Sequence, residues 1–206
     1  MKMNISISKQ QLAALPPDHF NGFIKVIETL EEAKVAVAEL RKADLIGFDT
    51  ETRPSFRKGQ NYNVALMQLS TRDTCFLFRL NKLGVPGCLK DLLEDASATK
   101  VGLSIHDDFR NLNKSCHIEP AGFIELQQYA TKWNIADKSL SKLYGILFGR
   151  RLSKTQRLTN WEADVLTEAQ LNYAALDAFA CIRIYEYLRD DNFDPESSIY
   201  QTDEKI

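Results

Sequence analysis

The longest predicted helix lies near the C-terminal end of the sequence, in the segment LTEAQLNYAALDAFACIRIYEYL (residues 166–188). Thr167 followed by Gln170 forms a Thr-x-x-Gln capping box, which is typical of the first turn of a helix. From Leu171 to Tyr185 the residues are apolar nearly all round the helix, and Asp177 lies in their middle. A helix that is apolar all round is typically buried. We therefore expect the rest of the chain to pack around this helix.

Alternating, β-branched segments predict five strands, and segments rich in helix formers predict five further helices. The strands are predicted at residues 23–29, 44–51, 64–70, 74–80 and 99–105. The helices are predicted at residues 30–43, 86–95, 106–116, 125–134 and 139–149, the first of them capped by Thr29 with Glu32. Because strands come first and helices gather later, we predict an α/β fold with one mixed central sheet flanked by helices, antiparallel at first and then joined by crossovers.

The charge distribution is uneven along the chain. The 206 residues are 44% hydrophobic, which predicts one folded domain and excludes a disordered chain. A formal net charge of −2 gives no global signature of nucleic-acid binding. Six Lys or Arg nevertheless lie between Lys138 and Leu158, and four lie between Thr52 and Arg72, in both cases without an acid. Each run is either a solvated face or a local patch for a polyanion.

The ends of the chain and its cysteines indicate a cytoplasmic protein. The four cysteines show neither a CxxC motif nor the Cys/His spacing of a zinc site, so we expect reduced thiols. The N-terminal MKMNISISKQQ lacks the apolar core of a signal peptide, and no apolar run approaches the roughly 18 residues of a membrane span. We expect an N-terminal arm at residues 1–22, the main domain at 23–189 and an acidic tail at 190–206.

Two acids two residues apart follow an apolar run in LIGFDTET (residues 45–52). Side chains alternate along a strand, so Asp49 and Glu51 share one face and lie about 7 Å apart. Like charges this close to apolar residues repel each other and lose solvation. A divalent cation would remove both penalties, and hard oxygen ligands suit magnesium or manganese. The alternative is a strand end that opens into water.

Two further acids fit the same interpretation. Asp177 is a carboxylate on a buried helix, where it must find a partner, become neutral or bind a metal. Tyr173 lies one turn earlier on the same face and can hold a water for it, or the two can form a hydrogen bond in the core.

In VGLSIHDDFRNL, a strand runs into a helix at Asp107 and Asp108, where acids commonly serve as caps. We prefer Asp108 as the inward acid, because it shares the helix side of Leu112.

In this order the motifs resemble those of the DEDD exonucleases, in the subclass with Tyr in the third motif (DEDDy). The matching segments are FDTET, VGLSIHDDFRNL and YAALD, and the segment LTNWEADVLTEAQLNYAALDA is similar to the one that precedes the third motif in ribonuclease D relatives. The chain is also similar to Werner-type exonuclease domains and to the proofreading domain of bacterial DNA polymerase I. The resemblance extends from Phe23 to Leu188 and implies a ribonuclease H-like fold.

The resemblance also implies an activity and the residues that carry it. It implies a 3′-5′ exonuclease that uses two divalent ions, Mg²⁺ or Mn²⁺, about 4 Å apart, and releases nucleoside 5′-monophosphates. Asp49, Glu51, Asp108 and Asp177 correspond to the metal ligands, and Tyr173 corresponds to the residue that orients the attacking water. The implied partner is the 3′ end of a DNA or an RNA, and the sequence identifies no protein partner.

Basic and polar residues in two loops are candidates for contacts with the substrate. Lys or Arg near such a site would neutralise backbone phosphates, and aromatic residues can stack on bases. The alternative for each is ordinary anchoring of a loop. Besides Arg53, Phe56 and Tyr62, the candidates are Lys154, Gln156, Arg157, Arg57 and Lys58.

Two alternative functions stay open. One is a nucleic-acid-binding or adaptor module of the same fold that has lost catalysis, against which the four acids and Tyr173 argue. The other is an endonuclease of the ribonuclease H-like superfold, against which the Tyr-x-x-x-Asp motif argues.

Overall fold

The computed structural model describes residues 4–57 and 59–202, which contain both strands and helices. The strands of these residues are β1 (Asn4–Ile5), β2 (Phe23–Ile27), β3 (Ile46–Thr52), β4 (Val64–Ser70), β5 (Thr74–Phe78), β6 (Lys100–Gly102), β7 (Phe123–Glu125) and β8 (Gln201–Thr202). The α-helices are α1 (Lys9–Ala14), α2 (Leu30–Leu40), α3 (Leu80–Leu83), α4 (Gly87–Leu93), α5 (Ile105–Leu112), α6 (Leu126–Tyr129), α7 (Leu140–Phe148) and α8 (Glu168–Arg189). Short 3₁₀ helices span Ala130–Trp133 and Pro195–Ser197.

Six strands form one mixed sheet in the order β2-β5-β4-β3-β6-β7. Strands β3, β4 and β5 form an antiparallel meander at its centre. The outer pairs β2 with β5, β3 with β6, and β6 with β7 are parallel, as crossover connections require. The prediction of one mixed central sheet flanked by helices is therefore confirmed, whereas its first strand, β2, is already parallel to its neighbour β5.

The sheet separates two apolar layers, and β3 contributes to both. Ile46 and Phe48 are buried on the side of α2, α4 and α5, whereas Asp49 and Glu51 lie on the side of α8. Gly47 also faces α8, where an added Cβ would lie 2.0 Å from the carbonyl oxygen of Ala178. The lack of a side chain at Gly47 thus lets the helix approach the strand closely.

Helix α8 is the central helix of its layer. Its N-terminus has the predicted capping box of Thr167 and Gln170, and α2 has the one predicted from Thr29 and Glu32. The middle of α8 carries small residues at 174, 175, 178 and 180 that are almost fully buried. Each fully buried Leu or Ile on such a helix contributes about 1.5–3 kcal/mol through removal of apolar surface from water. No helix of residues 4–57 and 59–202 is both long enough and apolar enough to cross a membrane.

The two ends of the chain pair with each other. Strand β1 is antiparallel to β8, and Ile5 and Ile7 are fully buried in the α8 layer. A further bridge joins Pro17 to Arg151. The segment expected as an acidic tail is attached to the domain at Gln201 and Thr202, because β8 pairs with β1.

The structure corrects two predicted elements around residues 99–134. The strand predicted at 99–105 ends at Gly102, because Ser104 adopts a left-handed conformation (φ 63°) and α5 begins directly afterwards. The helix predicted at 125–134 is present over residues 126–133, but as an α-helical turn followed by a 3₁₀ helix, and Glu125 instead ends β7. The Glu125 carboxylate accepts from the amides at the start of α5.

Candidate metal centre and nucleic-acid interface

Three carboxylates from two elements meet where β3 passes under α8. Asp49 and Glu51 come from β3 and Asp177 comes from the middle of α8. One carboxylate oxygen from each residue lies within 4.8 Å of a carboxylate oxygen of each of the other two. We call these three residues the acidic cluster. The strand alternation expected for Asp49 and Glu51 is what directs both toward the helix.

The structure places Asp108 beside this cluster and Asp107 away from it. Asp108 lines a cavity that the three residues of the acidic cluster also line. Its Oδ1 accepts a hydrogen bond from Thr50 Oγ1 at 2.5 Å. Asp107 is exposed and pairs with Arg110 at 3.1 Å on the surface of α5. The two neighbouring acids thus point in different directions from the first turn of the helix.

All four carboxylates titrate far from their usual range. Burial is the largest cause and raises the pKa of Asp49, Glu51, Asp108 and Asp177 above ordinary values. Neighbouring acids raise it further for Asp49, Glu51 and Asp108. Several ionised carboxylates in one buried place are unfavourable unless a cation compensates them. An all-oxygen donor set of this kind fits Mg²⁺ or Mn²⁺.

Tyr173 completes the site from the same helix as Asp177. Burial first, and then the charge of Asp177, raise the pKa of Tyr173, so the phenol stays protonated and can donate. The interaction of the Asp177 carboxylate with the Tyr173 hydroxyl lowers the pKa of that acid, although burial outweighs it. The fully buried ring of Trp161 packs beside Tyr173 with 6.0 Å between ring centroids.

A cavity of about 360 Å³ opens over these acids and has a basic rim. Lys154 and Arg157 line it and are exposed to solvent. The charge of Lys154 lowers the pKa of Asp177, and that of Arg157 lowers the pKa of Glu51, although burial outweighs both. Cations therefore lie at the opening of the cavity that the carboxylates line.

Gln156 lies between these two cations in sequence but lines a second cavity. This cavity of about 670 Å³ shares Tyr173 and Asp177 with the first. Residues 17–19 and Arg151 form its opposite wall. The side chains of residues 154–157 thus line two adjoining cavities that share Tyr173.

The described residues of the loop between β3 and β4 line neither of these cavities. Arg53 pairs with Glu162 at 3.1 Å and stacks on the ring of Tyr62 at 4.7 Å, which fits the loop-anchoring alternative for both. Phe56 is 80% exposed. Arg57 is also exposed and lines neither cavity, and its carbonyl accepts from Ser55 Oγ. Lys58 lies outside the described residues.

Two residues that the sequence did not single out contact the site. Thr50 lies on the strand face opposite to Asp49 and Glu51, yet its hydroxyl reaches Asp108. Glu125 accepts hydrogen bonds from the amides at the start of α5, the helix that carries Asp108. The available signal for Glu125 was an acid among the apolar residues of FIEL (residues 123–126).

Comparison with known proteins establishes the family. A family-wide sequence model described as 3′-5′ exonuclease matches residues 24–191. The chain belongs to the 3′-5′ exonuclease family.

Two relatives illustrate how much of each protein is shared. A 3′-5′ exonuclease of Arabidopsis thaliana is 33% identical over 200 residues, which cover 89% of this chain and 69% of the relative. The bifunctional 3′-5′ exonuclease/ATP-dependent helicase WRN of Mus musculus is 36% identical over 155 residues, or 72% of this chain. This chain spans only 11% of the length of that mouse protein.

Solved structures show the same fold. The structure is similar to Escherichia coli RNase D, an exoribonuclease involved in structured RNA processing, with a TM-score of 0.74 and 23% identity over 82% of this chain and 44% of that one. It is also similar to Trypanosoma brucei RNase D in complex with RNA U12, with a TM-score of 0.70 and 22% identity over 82% and 63%. The predicted ribonuclease H-like fold is therefore confirmed.

Proposed function

We propose that residues 23–189 form an active 3′-5′ exonuclease that hydrolyses phosphodiester bonds at the 3′ end of a nucleic acid and releases nucleoside 5′-monophosphates. The observation that carries this proposal is the acidic cluster, three carboxylates within 4.8 Å at the junction of β3 and α8. Membership of the 3′-5′ exonuclease family supports the direction of hydrolysis.

The donor set supports a site for two divalent ions, Mg²⁺ or Mn²⁺. Asp49, Glu51 and Asp177 would hold one ion, and Asp49 with Asp108 would hold the other. When bound, such ions supply Lewis acidity and a nucleophilic water. The raised pKa values of these acids support a cation as the group that allows all of them to ionise.

The protein's own groups then orient and stabilise the reactants. Tyr173 stays protonated and lines the same cavity as Asp177, so it can orient a water at the cluster. Lys154 and Arg157 on the rim can neutralise the phosphates of the bound strand. Gln156 can contact the adjoining nucleotide from the second cavity. Contacts by Arg57 and Lys58 stay predictions, as does a cytoplasmic location.

The partner we propose is the 3′ end of a DNA or an RNA. The Trypanosoma brucei RNase D structure contains RNA U12, which supports RNA as one substrate class for this fold. The relatives include a ribonuclease D and an exonuclease/helicase, so we propose DNA and RNA equally as substrates.

Digestion of matched oligonucleotides tests the proposal. DNA and RNA of one sequence, labelled at the 5′ end, are incubated with Mg²⁺ or Mn²⁺, and we expect a ladder that shortens from the 3′ end and stops with EDTA. Asp49→Ala should lose at least a hundredfold in rate, because Asp49 serves both ion sites. Full rate in this variant contradicts the metal assignment. Binding of the oligonucleotides without any shortening would instead support an inactive binding module.

A further inference from the structure

The N-terminus of α5 is capped by a side chain from another strand. Ser104 holds the N-cap position in a left-handed conformation, and its hydroxyl makes no capping hydrogen bond. The Glu125 carboxylate at the end of β7 does this instead. Its Oε1 accepts from the Ser104 amide at 3.0 Å, and its Oε2 accepts from the Ile105 amide at 2.8 Å. Amides at the start of a helix have no partner within that helix, so Glu125 satisfies a need that is otherwise unmet.

The same carboxylate links α5 to the next segment of the fold. Glu125 Oε1 also accepts from the Gln127 amide at 3.0 Å and thereby caps α6. The side chain of Gln127 donates to Ser104 Oγ at 2.8 Å and to the carbonyl of Lys138 at 2.9 Å. One half-buried carboxylate and one amide therefore fix the turn before α5 from several directions.

The position of Asp108 depends on this turn. Its amide donates to the Ser104 carbonyl at 3.3 Å, so Asp108 lies in the first turn of α5. A non-glycine residue in the left-handed region costs about 1–2 kcal/mol and persists only where its surroundings hold it. A negative charge at a helix N-terminus also interacts favourably with the helix dipole. Loss of the Glu125 carboxylate would release Ser104 and allow the first turn to fray.

We propose that Glu125 is a positioning residue that holds Asp108 against Asp49 and so sets the affinity of the second metal ion. This role rests on the proposed function, because it concerns one of the two ions proposed there. Glu125 acts through the backbone of α5 and through no direct contact with the ion. Removing the hydrogen-bond partner that orients a metal ligand typically weakens metal binding 10- to 100-fold.

Titration of the full chain with Mn²⁺ tests the role, with calorimetry for affinity and electron paramagnetic resonance for the number of bound ions. Glu125→Gln keeps the side-chain shape but removes the charge and one acceptor. Thr29→Ala is the matched control, because it removes the side-chain cap of α2 and costs a similar stability of about 1 kcal/mol. We expect Glu125→Gln to weaken the second Mn²⁺ step about tenfold and to leave the first unchanged. Thr29→Ala should change neither step.

The outcomes separate the two proposals. Two wild-type-like Mn²⁺ steps in Glu125→Gln overturn the positioning role alone, and an equal effect of Thr29→Ala overturns it as well. If the unsubstituted protein binds no Mn²⁺, the proposed function fails and this role fails with it. Glu125→Ala is the stronger perturbation, and Glu125→Gln keeps the test decisive if the alanine variant does not fold.

Discussion

Replacing Asp177 with Asn should stabilise the metal-free protein. Burial raises the pKa of Asp177 from 3.8 to about 7, so at pH 8 the folded state holds a charge that the unfolded chain would carry at lower cost. Each pKa unit corresponds to about 1.4 kcal/mol, which gives an upper limit of about 4 kcal/mol. Because Asp177 shares protons with its neighbours, we halve this limit to about 2 kcal/mol. For a chain of this size that corresponds to a rise in melting temperature of about 4–8 °C.

The sign of the pH dependence follows from the same shift. The folded-state pKa is raised, so between pH 3.8 and about 7 the folded protein keeps a proton that the unfolded chain releases. The stability of the unsubstituted protein therefore falls as pH rises through this window. The advantage of Asp177→Asn should be largest at pH 8 and nearly absent at pH 4.

Thermal unfolding followed by circular dichroism in EDTA measures both effects. Asp107→Asn, an exposed acid on α5, serves as the control and should shift the melting temperature by less than about 1 °C. Added Mn²⁺ should raise the melting temperature of the unsubstituted protein more than that of Asp177→Asn. If Asp177→Asn melts at or below the unsubstituted protein in EDTA at pH 8, the carboxylates do not repel one another, and the electrostatic argument for a cation is refuted.

Three further substitutions test separate parts of the site. Asp108→Asn should lower turnover at least a hundredfold, whereas Asp107→Asn should keep most of it; the reverse order of rates would move the ligand by one residue. Tyr173→Phe should lower kcat about tenfold or more, because it removes a group that orients water, while the melting temperature changes by less than about 2 °C. A large loss of stability in that variant would instead indicate a hydrogen bond of the core. Gly47→Ala should destabilise the fold by about 3 kcal/mol or more in urea unfolding, since its Cβ would lie 2.0 Å from a carbonyl oxygen of α8. Gly87→Ala, which has open space around it, is the control and should unfold within about 1 kcal/mol of the unsubstituted protein.

Most of the elements could be predicted because their signals are local. The period-two pattern of β3 placed Asp49 and Glu51 on one face, and the structure shows both toward α8. The capping boxes at Thr29 and Thr167 began the helices that they predicted. The apolar circumference of α8 indicated a buried helix, and Asp177 is only 8% exposed. These properties depend on residues within one turn or two strand positions of each other, so the sequence contains them directly.

Contacts between distant segments were decided by tertiary structure. The pairing of β1 with β8 joins the two ends of the chain, and neither end is apolar enough for sequence to reveal it. Gln156 lies one residue from Arg157, yet the two line different cavities, because the loop turns between them. Glu125 was predicted to begin a helix, but it ends β7 and caps α5, a contact with a residue about 20 positions away.

The sequence by itself determined which residues could form a metal centre, since carboxylates in apolar surroundings need a counter-charge wherever they lie. Only the tertiary structure decided how they meet. Helix spacing already predicts that Asp108 rather than Asp107 lies inward, whereas the left-handed turn at Ser104 sets where α5 begins. That turn is held by Glu125, about 20 residues away in sequence, through a strand pairing that no local pattern encodes.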